Sequence, residues 1–181
     1  MLDFIKNIHR NRLMRELKAA PREKKIANID EVSRIGVICR LEDESHWNIM
    51  NHFAKVMENK GKEVHIVALL QRDQEIDFVI THQNTYIVRT KSDTNFWGLP
   101  SHESIRPFLE HHYDLLIDTI GEDNFFSQYL ALRTDASLKV VYSTSEEGPS
   151  DIFDLIIKGE DPLELKAYFN NVIEYLSMIK K

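Results

Sequence analysis

Apolar positions along the chain switch between two spacings, and the switches mark out the elements. Near the N-terminus the spacing is helical. At about 100° per residue, Met1, Phe4, Ile5 and Ile8 share one face while Leu13 and Leu17 lie on another. The pattern predicts a helix to about Ala20, with Pro21 as its stop signal. A membrane-surface helix shows one coherent apolar face, so the change of face predicts instead a helix that packs on the body or on a partner. After a charged connector, the β-branched run "RIGVICR" (34–40) predicts a buried strand. A helix follows in "EDESHWNIMNHFAKVMENKGK", with Trp47, Met50, Phe53, Ala54 and Met57 at core spacing, Asp43 or Ser45 as cap and Gly61 at its end. "EVHIVALL" (63–70) is the next strand, completing a strand–helix–strand unit whose strands must be parallel.

The rhythm continues. Within "DFVITHQNTYIVRT" a strand is expected at Thr85–Arg89, with a shorter extended piece before it. The loop "SDTNFWGLP" leads into a helix "SHESIRPFLEHH", for which Ser101 is a cap. Then come strand "YDLLIDT" (113–119), helix "DNFFSQYLALRTDA", strand "LKVVYS" (138–143), a polar loop "TSEEGPSD" and strand "IFDLIIK" (152–158). The last helix, "DPLELKAYFNNVIEYLSMIKK", has Asp161 as expected N-cap and Pro162 at its first helical position. This order predicts an α/β fold: a single open, mainly parallel, Rossmann-like sheet flanked by helices. Residues 1–30 form an N-terminal helical arm and connector, and residues 31–181 the α/β domain.

Composition changes this picture in two respects. At 181 residues, 43% hydrophobic and 29% charged, the chain suits one globular core, and its longest apolar runs are strand-sized, so no membrane span is expected. The single Cys39 can form no internal disulfide, and the N-terminus lacks the apolar core of a signal peptide, which together point to a cytoplasmic location. Charge is uneven. Residues 1–25 carry eight Lys or Arg against three Asp or Glu, leaving 15 basic and 26 acidic residues in the body. A basic arm on an acidic body suggests that the arm docks, and an acidic body is a poor surface for nucleic acid.

Candidate chemistry is sparse. In an open parallel sheet, ligands bind beyond the C-terminal ends of the strands where the strand order reverses. With Rossmann-like order, that crevice falls between the strand ending at Arg40 and the one ending at Thr119. Its loops, "RLEDES" and "DTIGEDN", have no glycine-rich turn, so neither a dinucleotide cofactor nor a Walker-type phosphate loop is expected. Glu42, Asp43, Asp118, Glu122 and Asp123 could instead converge on Mg²⁺, a hard cation that takes carboxylate oxygen. The competing account has Asp43 and Asp123 capping helices, Asp118 bonded to backbone or a neighbouring side chain, and the glutamates in water. The histidines are scattered, and Cys39 sits in an apolar strand as an inert buried thiol. Phe96 and Trp97, side by side in a loop, are the candidate contact for a partner or ligand: on an extended backbone one ring would turn inward and the other outward.

These stretches together resemble a small bacterial family of Rossmann-like proteins with no assigned activity. The likeness rests on "RIGVIC" (34–39), a core helix ending in "NKGKEV", the loop "NFWGLP" (95–100), "YDLLIDT" (113–119) and "DASLKVVYS" (135–143). It implies the fold, compact size and a bacterial cytoplasmic setting. A second stretch, "YDLLIDTIGEDNFFSQYLALRTDASLKVVY", is similar to a strand–helix–strand of two-domain heptose-transferring glycosyltransferases, which need a second domain to enclose their sugar nucleotide. The functional expectation is a non-enzymatic protein acting through a protein partner by its basic arm and aromatic loop. The alternative is a small-molecule or divalent-metal-dependent enzyme, of phosphoryl or sugar-nucleotide chemistry, at the acidic crevice.

Overall fold

The computed structural model describes residues 2–18, 21–70, 82–143, 151–158 and 164–180, together with Ile76, Phe78 and Ile80. The helices are α1 (Leu2–Lys18), α2 (Glu44–Glu58), α3 (His102–Leu109), α4 (Phe125–Arg133) and α5 (Leu165–Ser177). The strands are β1 (Arg34–Leu41), β2 (Glu63–Leu70), β3 (Thr85–Arg89), β4 (Tyr113–Asp118), β5 (Ala136–Ser143) and β6 (Leu155–Lys158). They form one sheet in the order β3-β2-β1-β4-β5-β6, and every neighbouring pair is parallel. The order reverses between β1 and β4, where Ile35 to Ile38 run beside Leu115 to Asp118. The sheet is therefore of Rossmann type, with its switch point where the sequence placed it.

Both faces of the sheet are covered, which is why its strands read as continuous apolar runs. Strand alternation assigns Val37, Cys39, Leu115 and Ile117 to one layer, under α2 and α5, where Phe53 and Phe169 stack at 4.0 Å. Ile38, Leu116 and Val141 face the other layer, with Phe108, Leu130 and Met14 of α3, α4 and α1. Fully burying a side chain of this size is worth roughly 1.5–3 kcal/mol, so the two layers supply most of what holds the sheet flat against its helices. Asp43, not Ser45, caps α2 by accepting from the His46 N–H at 2.8 Å, and Gly61 closes the turn after it with φ +78°.

The arm packs on its own body. Met14 is buried and Leu13 and Leu17 are partly buried in the layer containing α4. The connector beyond it is stitched to β5: Lys25 N–H donates to Ser137 O at 3.1 Å, and Arg22 Nη1 to Ala136 O at 3.0 Å. The face expected for Met1, Phe4, Ile5 and Ile8, the loop from Thr144 to Ser150, and the Asp161 and Pro162 helix start lie outside the described residues or side chains. No helix of the described residues is long and apolar enough to cross a membrane.

Candidate functional site

Two places at the C-terminal ends of the strands hold the residues singled out by sequence. The first is the switch-point crevice. The pleat of the sheet divides its acids: Ile117 belongs to the α2/α5 layer, so the next side chain, Asp118, turns toward α4. There the carboxylate is fully buried. Its Oδ1 accepts from Ile120 N at 2.8 Å and Gly121 N at 3.1 Å, and its Oδ2 accepts from the Ser127 hydroxyl. Burial raises its pKa to about 6 despite those three donors. On the other side of the sheet, Glu42 and Asp43 flank His46, with contacts of 3.6 Å and 3.0 Å. The carboxyl of Asp43 is held below its ordinary range, chiefly by the His46 backbone N–H.

The remaining two acids depart from the capping account. Asn124 caps α4, its Oδ1 accepting from Phe126 N at 3.0 Å and Ser127 N at 3.2 Å, while Asp123 is exposed. An acid was expected at that cap, but the neutral amide one residue later has the geometry to reach both N–H groups. Glu122, expected in water, is buried instead. It is 5% exposed, takes the Ser143 hydroxyl on Oε1, and leaves Oε2 buried without a hydrogen-bond partner. Thus the five acids are not one cluster. Among the described residues, no group of three or more His, Cys, Asp or Glu side chains is placed to hold a metal ion.

The mouth of the crevice is narrow. A cavity of about 130 Å³ remains between Arg40, Glu42, His46, Thr119, Tyr142 and Tyr168. Tyr168 of α5 forms part of its wall, its hydroxyl donating to Asp118 O at 2.9 Å. Small-molecule pockets usually run to about 300–1,000 Å³, so this space suits a few waters rather than a nucleotide. Cys39, beneath it, is buried, and burial pushes its thiol up to about 12, which leaves it unreactive.

The second place is the aromatic loop between β3 and α3. It is a turn rather than an extended segment, because Asn95 organises it from both its backbone and its side chain. Asn95 O accepts from Gly98 N at 2.9 Å, and Asn95 Oδ1 from Trp97 N at 2.9 Å and Leu99 N at 3.1 Å. An antiparallel bridge between Thr94 and Pro100 closes its neck. The two rings diverge as expected, though by turn geometry and not by strand alternation. Trp97 is the inward ring, packed against the α1/α3/α4 layer, and Phe96 is the outward one, 61% exposed, with the two centroids 5.3 Å apart and edge-on.

The arm and this loop meet through Arg10. Its Nε and Nη2 donate to Trp97 O at 3.1 and 3.0 Å, and its guanidinium lies 4.3 Å from the centre of the Phe125 ring at the start of α4. Gly98 has φ +76°, which the turn requires of a glycine, and a Cβ there would stand 2.9 Å from Arg10 Nη2, at the movable tip of that side chain. The sequence pointed to Phe96 and Trp97 but not to Arg10, Phe125 or Tyr168. Asn95 carried a local signal, an Asx turn ahead of a glycine, while the other three act across the fold and left none.

The chain belongs to a family of unknown function, DUF6913, which it matches over residues 6–179. The match takes in the arm from its first turns as well as the α/β body. No curated protein matches the chain.

Proposed function

We propose that this member of the family is a non-enzymatic protein that binds a protein partner through the surface formed by α1 and the aromatic loop. The observation that carries this reading is the Arg10 clamp, which ties arm, loop and α4 into one surface while Phe96 stays 61% exposed at its tip. A large aromatic on a pre-ordered turn, beside a basic helix, is the kind of anchor around which interfaces concentrate their binding energy. At the crevice, by contrast, Asp118, Thr119 and Tyr168 are bonded to the protein's own backbone and side chains. A photo-crosslinking residue at position 96 of the full chain, exposed to an extract of its native cells, tests the proposal. The expected result is one discrete adduct that unlabelled wild-type protein competes away; diffuse labelling or none would remove the reading.

One observation favours a second reading, an enzyme at the crevice. Glu122 Oε2 and Arg40 Nε are both buried without a hydrogen-bond partner, and unpaired buried polar atoms call for an explanation. A thermal-shift panel of Mg²⁺, Mn²⁺, nucleotides and sugar nucleotides, run on the wild type and on Glu122→Gln, separates the two, because only a shift lost in the variant belongs to the crevice. A ligand at about 100 times its dissociation constant adds ~2.7 kcal/mol of stability, and a flat panel leaves the partner-binding reading alone.

A further inference from the structure

At the opposite end of the sheet from the crevice, where α1 ends and the connector crosses the start of β5, lies a larger cavity of about 550 Å³. Five cations border it: Lys18, Arg22 and Lys24 from the arm's end and connector, Arg133 from the last turn of α4, and Lys139 from β5. The carboxylates within reach are already engaged. Asp154 is nearly buried and takes Arg22, Lys24 and the Lys139 backbone N–H. Burial pushes its pKa up, but those donors, Arg22 foremost, outweigh it and hold the carboxyl below its ordinary range. Asp135 pairs with His112 across 2.9 Å, and Asp151 stands 3.9 Å from Lys18. Counting all three acids against the five cations leaves a positive surplus, on a chain whose net charge is −6.

The end of α4 would ordinarily make this corner negative, since its last carbonyls point into it. Two of them are already met. Leu130 O accepts from the Thr134 N–H and hydroxyl, and Ala131 O accepts from the Lys139 ammonium. Lys139 itself is 3% exposed. Burial first, and then the neighbouring Arg22, hold its pKa down to about 8, so a charge here is costly until an anion arrives to offset it.

We propose that this cavity binds a small phosphate-bearing anion, with Lys24 and Arg133 at its rim and Arg22 and Lys139 in its wall. Guanidinium forks match phosphate oxygens in pairs, and several ammonium groups can share a doubly charged group. The volume falls within the roughly 300–1,000 Å³ of small-molecule sites. This site goes beyond the arm–loop reading and stands or falls separately from it.

The test titrates the full chain with pyrophosphate and with AMP, against adenosine and NaCl at matched ionic strength, by thermal unfolding and calorimetry. Pyrophosphate and AMP are expected to raise the unfolding temperature by about 4 °C or more at saturation, and adenosine and NaCl to leave it unchanged. Arg133→Ala and Lys24→Ala, both at exposed positions, should fold as the wild type does and bind about tenfold more weakly or worse. No rise with either phosphate compound, an equal rise with adenosine or NaCl, or unchanged affinity in both variants would each overturn the proposal.

Discussion

The crevice and the aromatic loop are built on the same local device and put it to opposite ends. In each, the oxygen of one side chain at or beyond the end of a strand gathers two backbone N–H groups: Asp118 Oδ1 holds Ile120 and Gly121, and Asn95 Oδ1 holds Trp97 and Leu99. In the crevice the device is charged, buried, and roofed by Ser127 and Tyr168. In the loop it is neutral, at the surface, and secured on one side by Arg10, so that an aromatic ring faces outward. The difference lies in what covers each turn. A position favoured for ligands by topology can be closed by the protein's own side chains, and a position with no topological privilege can leave an aromatic ring exposed.

The largest effect that could break this comparison concerns the closed turn. Asp118 has a folded pKa near 6 against an ordinary value of 3.8, because it is desolvated. A carboxyl raised in this way binds more protons folded than unfolded, so its contribution to stability is complete below about pH 4 and is lost as the pH rises through about 6. Asp118→Asn keeps an oxygen for the two N–H groups but does not titrate. Moving from pH 7 to pH 4.5 should therefore improve the wild type relative to the variant by about 2 kcal/mol in denaturant unfolding. A difference that does not change with pH would mean that the carboxylate is solvated and the crevice open.

How much of this could be read beforehand follows from the same contrast. The strands were legible because burial on both faces writes itself as unbroken β-branched runs, and all six lie within or close to the expected stretches. The caps Asp43 and Ser101 were legible because their partners lie within three residues, whereas the turn at Asn95, expected as extended backbone, was missed although its partners are as close. The roles of Tyr168 and Arg10 were not, because Tyr168 reaches 50 residues and Arg10 reaches 87 to its partner. Glu122 shows the limit most clearly. Its sequence neighbours are polar, yet the end of β5 brings Ser143 over it and takes it out of water.

A smaller effect tests whether the loop turn and the arm form one unit. Gly98→Ala places a Cβ at positive φ and 2.9 Å from Arg10 Nη2. The backbone strain alone should cost about 1–2 kcal/mol, and the clamp must shift to admit the methyl group. If the unit is real, Arg10→Ala should cost less in the Gly98→Ala background than in the wild type, because the clamp has already been displaced; additive losses would separate arm from loop.

The smallest effect expected on stability decides what the outward ring does. Phe96 is 61% exposed and touches Trp97 edge-on at 5.3 Å, a geometry worth about 0.5–1.5 kcal/mol when well packed and less at the surface. Phe96→Ala should therefore lower the unfolding free energy by no more than about 0.5 kcal/mol. Trp97→Ala, which removes a ring from the α1/α3/α4 layer, should cost several times as much, about 2 kcal/mol given that its burial is partial. The order matters more than the values. Unfolding curves in which both substitutions cost the same large amount would make the pair a hydrophobic plug, and the loop would then resemble the crevice: a closed turn with no outward face. If only Trp97→Ala is costly, Phe96 adds little to the fold that would account for a large aromatic at that position. Loss of the crosslinked partner in Phe96→Ala, with the unfolding curve unchanged, would then assign the ring to binding.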